Sequence, residues 1–292
     1  MKTLYSLVIF VVSLSALAAE QVDERREVVA DGQVEIKNVR GEIEIEGWDD
    51  NVVQVKGRLD DLAESFIFNV DGDKTTIRVE LPRESRYRSR EGSRLKIRLP
   101  KSSKVSFSGV ATDLTIRHLN KGIHVNSVSG DVFISDLKGS TYINSVSGNL
   151  RLESINGGVH ISTVSGGLKA NIESEHLKVR SVSGDLDIAL TQITQASLSS
   201  VSGDMQLSGK LTEGGRVMMK SITGKAQFRV PSQLDAKFIM HTAPGGKITN
   251  EYSEDQPTSS FINAQSLEFS SGSAASLVKM STVSGEVALK KE

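Results

Sequence analysis

Along most of this chain, aliphatic residues recur in steps of two, three and four positions. From residue 114 they fall at Leu114, Ile116 and Leu119, then Ile123, Val125 and Val128, then Val132, Ile134 and Leu137. The series continues through Ile143 and Val146, Leu150, Leu152 and Ile155, and Val159, Ile161 and Val164; only Thr141 breaks it. The steps sum to nine. A step of two keeps side chains on one face of a strand. Steps of three and four cannot hold one face of a flat strand, so the chain must bend within each interval. Each nine-residue unit is therefore predicted to be a short strand, a corner, one more inward residue and a turn. A helix would need i, i+3, i+4, i+7 spacing, which these positions do not show.

A four-residue phrase, Ser-Val-Ser-Gly or a close variant, repeats on top of this pattern. It occupies 127–130, 145–148, 163–166, 181–184, 200–203, 221–224 and 282–285, and the first four copies are 18 residues apart. A period of about 20 residues without helical signal predicts a chain wound into stacked coils. The expected fold is all-β: a right-handed single-stranded parallel β-helix of 18–21 residues per coil, with a less regular N-terminal cap. The left-handed hexapeptide solenoid would need a six-residue sub-period, and parallel crossovers favour right-handed winding. Gly130, Gly139, Gly148, Gly157 and Gly166 recur every nine residues, and Gly184, Gly203, Gly224 and Gly285 end later copies of the phrase. They are expected where positive φ or close approach of coils is required. The serines of the phrase should form two ladders, either satisfying turn amides or presenting a hydroxyl surface to a glycan.

Residues 1–18 read as a signal peptide, with Lys2, an apolar stretch from Leu4 to Leu14, and Ala16-Leu17-Ala18 as cleavage site. Residues 19–110 are expected to form the N-terminal cap and first coils, with a hairpin excursion around Asp71-Gly72-Asp73. Residues 111–292 should be the regular solenoid, with a loop near 251–260 and Lys290-Lys291-Glu292 closing the far end. No later stretch is apolar enough to span a bilayer, so the mature product is expected in the periplasm or outside the cell.

The chain has no cysteine, which removes disulfides, thiolate metal sites and cysteine nucleophiles. With 35 basic and 36 acidic residues nothing points to nucleic acid, and no cofactor is indicated. His124, Tyr142 and His160 are 18 apart and should stack as an outward column, too far apart at the ends to share a metal ion. Asp131, Asp185 and Asp204 follow the turns but lack the calcium-binding nonapeptide. Arg83, Arg86, Arg88, Arg90, Arg94, Lys96 and Arg98 form the largest charge asymmetry, on a predicted loop opposed only by Glu84 and Glu91. They are a candidate patch for anionic lipid, lipopolysaccharide or another acidic envelope polymer.

Gly41-Glu42-Ile43-Glu44-Ile45-Glu46-Gly47-Trp48 and the serial Ser-Val-Ser-Gly coils resemble a bacterial family of exported β-strand-repeat proteins named putative adhesins, a domain of unassigned function. The resemblance implies a β-helix in the cell envelope, in some members linked to envelope stress, and brings no catalytic residues with it. The expected function is thus a non-enzymatic, exported binding or scaffolding module. The alternatives are a glycan-active β-helix enzyme, although minimal coils leave few loops to build a cleft with paired carboxylates, and a self-assembling structural element.

Overall fold

The structure, a computed structural model, describes residues 20–82, 91–231, 233–261 and 263–291, so the proposed signal peptide lies outside the described residues. Each nine-residue unit makes one strand, and alternate units stack in register. Ile123–Ser129 pairs in parallel with Thr141–Ser145, and that strand with Val159–Thr163, which sets Val125, Ile143 and Ile161 one above another. The intervening units, Val132–Lys138, Leu150–Asn156 and Leu168–Ile172, form a second parallel stack. Aliphatic side chains from both stacks meet in one continuous interior. Thr141 is no interruption: it pairs with Ile123 and Val159 and faces inward with them.

The step of three has two different causes, and this corrects the expected core. Val128, Val146 and Val164, expected inside, are 48%, 49% and 47% exposed. In their half of the coil, alternation simply continues. After Ile123 and Val125 the next inward position is Ser127, which is buried, and Val128 falls outward. In the other half the backbone shifts phase. Asp136 and Ser154 each have φ of 53°, in the left-handed region, and the following Leu137 and Ile155 are returned to the interior. His118, with φ of 61°, does the same before Leu119.

Both ends depart from sequential stacking, so the sheet is mixed rather than wholly parallel. The N-terminal strands are β1 (Gln21–Glu27), β2 (Gln33–Trp48), β3 (Val52–Arg58), β4 (Ser65–Asp71), β5 (Lys74–Glu80), β6 (Ser93–Pro100) and β7 (Lys104–Leu119). β2 spans a full coil and pairs in parallel with β7 on one side and with β5 and β6 on the other. β4 closes one stack antiparallel to β5, while β3 lies antiparallel to β6 and β1, antiparallel to β3, closes the other. The far end repeats the device. The strands Ser276–Thr282 and Glu286–Lys291 slot between the coil of 216–230 and that of 236–250, and Gln265–Ser271 closes the end antiparallel to Ala236–Thr242. The C-terminal lysines, expected as the closing cap, therefore sit one coil inside it. The expected hairpin excursion is β4–β5, which turns at Gly72 with φ of 58°.

Candidate binding surface

Four of the five positions in the phrase and the residue after it have a structural task. The first serine faces inward, and its hydroxyl donates to the carbonyl two residues on, as Ser145 does to Ser147 and Ser181 to Ser183, both at 3.3 Å. The second donates to the preceding coil: Ser129 to the Val110 carbonyl at 2.9 Å, Ser147 to that of Val128 at 3.2 Å. Both ladders thus satisfy turn backbone. At Gly148 φ is 110°, and a Cβ would lie 2.2 Å from the Gly130 oxygen, so the glycine answers both strain and space. Gly130, Gly139, Gly157, Gly166, Gly184, Gly203 and Gly224 share the positive φ. Gly285 does not, yet its Cβ would meet the Gly224 oxygen at 1.9 Å. The carboxylate after the turn caps the next coil: Asp131 Oδ1 accepts the Asn149 amide at 2.7 Å, and Asp185 Oδ1 that of Asp204 at 2.9 Å.

The second position of the phrase has no such task. Val128, Val146, Val164, Val182, Val201, Ile222 and Val283, with Val110 one coil before the first copy, are each between 44% and 49% exposed. Coil spacing sets neighbours ~4.8 Å apart, so seven intervals make an aliphatic ridge ~34 Å long. Contiguous apolar patches larger than a few hundred Å² are rare on monomeric proteins and mark interaction surfaces.

At its N-terminal end the ridge runs into an open groove of about 870 Å³ beneath the β4–β5 hairpin. Val39, Val110, Val128, Val146 and Leu81 line it together with the polar Asn38, Asn126 and Asn144. Of its lining charges, Lys37 pairs with Glu35 outside the groove and Arg78 with Glu80. Two lining residues carry buried polar atoms without a hydrogen-bond partner, Asn38 Oδ1 and Arg78 Nε. β2 and β7 hold the groove floor rigid, because they pair over almost their whole length.

The other candidate residues fall as follows. His124, Tyr142 and His160 do stack outward, with ring centroids 6.3 and 5.1 Å apart and the Tyr142 and His160 planes 19° from parallel. Of the basic stretch, Arg83, Arg86, Arg88 and Arg90 lie outside the described residues. Arg94, Lys96 and Arg98 are on strand β6, not on a loop, and strand pairing sets Glu42, Glu44 and Glu46 beside them. Lys96 and Arg98 both reach Glu46, at 3.3 and 3.2 Å. Burial raises the Glu46 carboxyl, but Lys96 and Arg98 outweigh it and hold it below the usual range. Lys96 and Arg98 are therefore neutralised by residues more than 40 positions away in sequence. Among the described residues no group of His, Asp or Glu is arranged to hold a metal ion.

Sequence reasoning missed the ridge and the hairpin side of the groove. The signal for the ridge was available: Ile123, Val125, Ser127 is strict alternation, and the adjoining valine must then face solvent.

A stacked-coil repeat protein with capped ends and an apolar external strip is the class these features define. The Toastrack DUF4097 family matches residues 22–290, and the chain belongs to that family. No match was found among curated proteins. Among solved structures, a putative lipid binding protein from Parabacteroides distasonis is similar, at 12% identity over 92% of this chain and 96% of that one, with a TM-score of 0.51. A putative adhesin from Bacteroides fragilis is 13% identical over 94% of this chain and 99% of its own, with a TM-score of 0.47. At such identities the likeness concerns the fold alone. No helix among the described residues is long and apolar enough to cross a membrane.

Proposed function

We propose that this protein is an exported, non-catalytic binding module of the bacterial envelope, wound right-handedly, whose ligand is the acyl chain of an envelope lipid. The observation that carries the reading is the exposed valine column: in a phrase where every other residue serves the turn, one apolar position is repeated without structural need and leads into a groove. In the groove Val39, Val110, Val128, Val146 and Leu81 alternate with uncharged polar residues such as Asn126 and Asn144, and its two cations and two carboxylates balance, which suits an alkyl chain with a polar head better than an anionic polymer. The name given to the Parabacteroides distasonis neighbour agrees with a lipid ligand. Support for a non-catalytic role comes from the carboxylates after the turns, whose Oδ1 atoms accept backbone amides.

The test is a homologous series of alkyl carboxylates titrated against the full chain by displacement of a fluorescent acyl probe. Each methylene withdrawn from water contributes about 0.8 kcal/mol, so affinity should rise up to about fourfold per carbon. Val128→Thr with Val146→Thr keeps the branched shape on an exposed face. It should leave the urea midpoint unchanged and abolish the chain-length dependence. Binding that ignores chain length, or that survives the double substitution intact, refutes the reading.

A further inference from the structure

The outermost strand β4, Ser65-Phe66-Ile67-Phe68-Asn69-Val70-Asp71, carries no proline, no lysine and no interior charge. It pairs with β5 alone among the described residues. Natural sheets blunt exposed edges with charge, proline or bulges. The matching edge of the other stack obeys this rule, since β1 reads Gln-Val-Asp-Glu-Arg-Arg-Glu. β4 does not.

The register of the hairpin fixes which backbone groups are free. A two-residue turn at Gly72-Asp73 bonds Asp71 to Lys74, and antiparallel pairs alternate between bonded and non-bonded. Ile67 and Asn69 therefore bond to Arg78 and Thr76, while the N–H and C=O of Phe66, Phe68 and Val70 point away from β5.

We infer that β4 is a self-complementary docking edge that pairs antiparallel with β4 of a second copy about a two-fold axis through Phe68. In that register Phe68 opposes Phe68 of the second copy, and Phe66 opposes Val70. Three outward residues on each strand, each with one donor and one acceptor, close six hydrogen bonds and leave none of these groups unpaired. One face of the junction is a cross-strand ladder of Phe66, Phe68 and Val70. On the other, Ile67 opposes Asn69, and no like-charged residues of β4 oppose each other; the Arg26 guanidinium of each copy lies over its own Phe68 ring. The pairing is isologous, so it closes as a dimer instead of growing into a fibre.

The experiment is sedimentation equilibrium of the full chain over a concentration series. The wild-type protein should approach twice the monomer mass. Ile67→Lys with Asn69→Lys places two like-charged pairs across the junction and should return it to monomer, with an unchanged circular dichroism spectrum. An equimolar mixture of that variant with Ile67→Glu/Asn69→Glu should recover the doubled mass through opposite-charge pairs. A wild-type monomer at every concentration overturns the inference, as does a dimer indifferent to the lysine pair. Capture of a seven-residue β4 peptide by a protein that never self-associates also overturns it and assigns the edge to a foreign strand.

Discussion

Gly148 offers a quantitative test of how the coils are stacked, because glycines in this chain separate two costs that usually occur together. At Gly148 a side chain meets both: φ is 110°, and the new Cβ would stand 2.2 Å from the Gly130 oxygen and 2.8 Å from its carbonyl carbon. Neither atom belongs to a flexible side chain, so the coil spacing itself would have to open. Gly214 has φ of 74° with nothing within 4 Å of its Cβ, and so carries the conformational cost alone. Gly285 has ordinary φ but a Cβ contact of 1.9 Å with Gly224, and so carries the steric cost alone. Gly158 has neither. A forced left-handed residue costs about 1–3 kcal/mol, and overpacking against a fixed neighbour about 1–3 kcal/mol. Gly148→Ala should therefore lose about 2–6 kcal/mol, Gly214→Ala and Gly285→Ala about half of that each, and Gly158→Ala between nothing and a gain of about 0.5 kcal/mol from the stiffened unfolded chain. Urea unfolding followed by circular dichroism reads these losses, and the slope shows whether a solenoid so cut still unfolds as one unit. If Gly148→Ala matches Gly158→Ala within about 0.5 kcal/mol, the close stacking of turns described above is wrong.

Arg40→Ala should cost about 3–5 kcal/mol in the same assay, because Arg40 holds the buried Asp60 carboxylate through two bonds of 2.5 and 2.8 Å; a loss below about 1 kcal/mol would place the pair among ordinary surface bridges. Glu35 joins β2 to β5 by bonding Lys37 and Lys74, which lower its carboxyl from 4.5 to about 2. A carboxyl depressed in the folded state stabilises above its unfolded value, so this contribution is whole above pH 4.5 and fades as pH falls toward about 2. The urea midpoint of Glu35→Gln should fall less than that of wild type between about pH 6 and pH 3, and parallel curves would contradict the assignment.

Much of the coil was legible in sequence because it depends on local periodicity. The aliphatic steps located the strands, the nine-residue glycines located the turns, and the 18-residue interval set Tyr142 between His124 and His160. What escaped were the features decided by phase and by order in space. Val128 was placed inside because a step of three looks the same whether a left-handed residue such as Asp136 restores the phase or a buried Ser127 makes alternation continue. The caps escaped for another reason. Periodicity says that β2 forms a coil, but not that β7, more than 50 residues on, will lie beside it while the intervening strands fold back over its other edge. The same insertion sets Glu44 and Glu46 against Lys96 and Arg98 and turns a run of cations into a balanced strand pair. The groove depended on both surprises, since the outward valine column and the returning hairpin both contribute to its lining.

Labelling with a photoactivatable fatty acid bears most directly on the claim that the outward aliphatic column is where this protein holds its ligand. After irradiation of the full chain and peptide mapping, adducts should concentrate on the segments containing Val110, Val128 and Val146 and on the segment containing Leu81, which also lines the groove. Adducts spread evenly over the solenoid, or gathered on the His124, Tyr142 and His160 face, would contradict it.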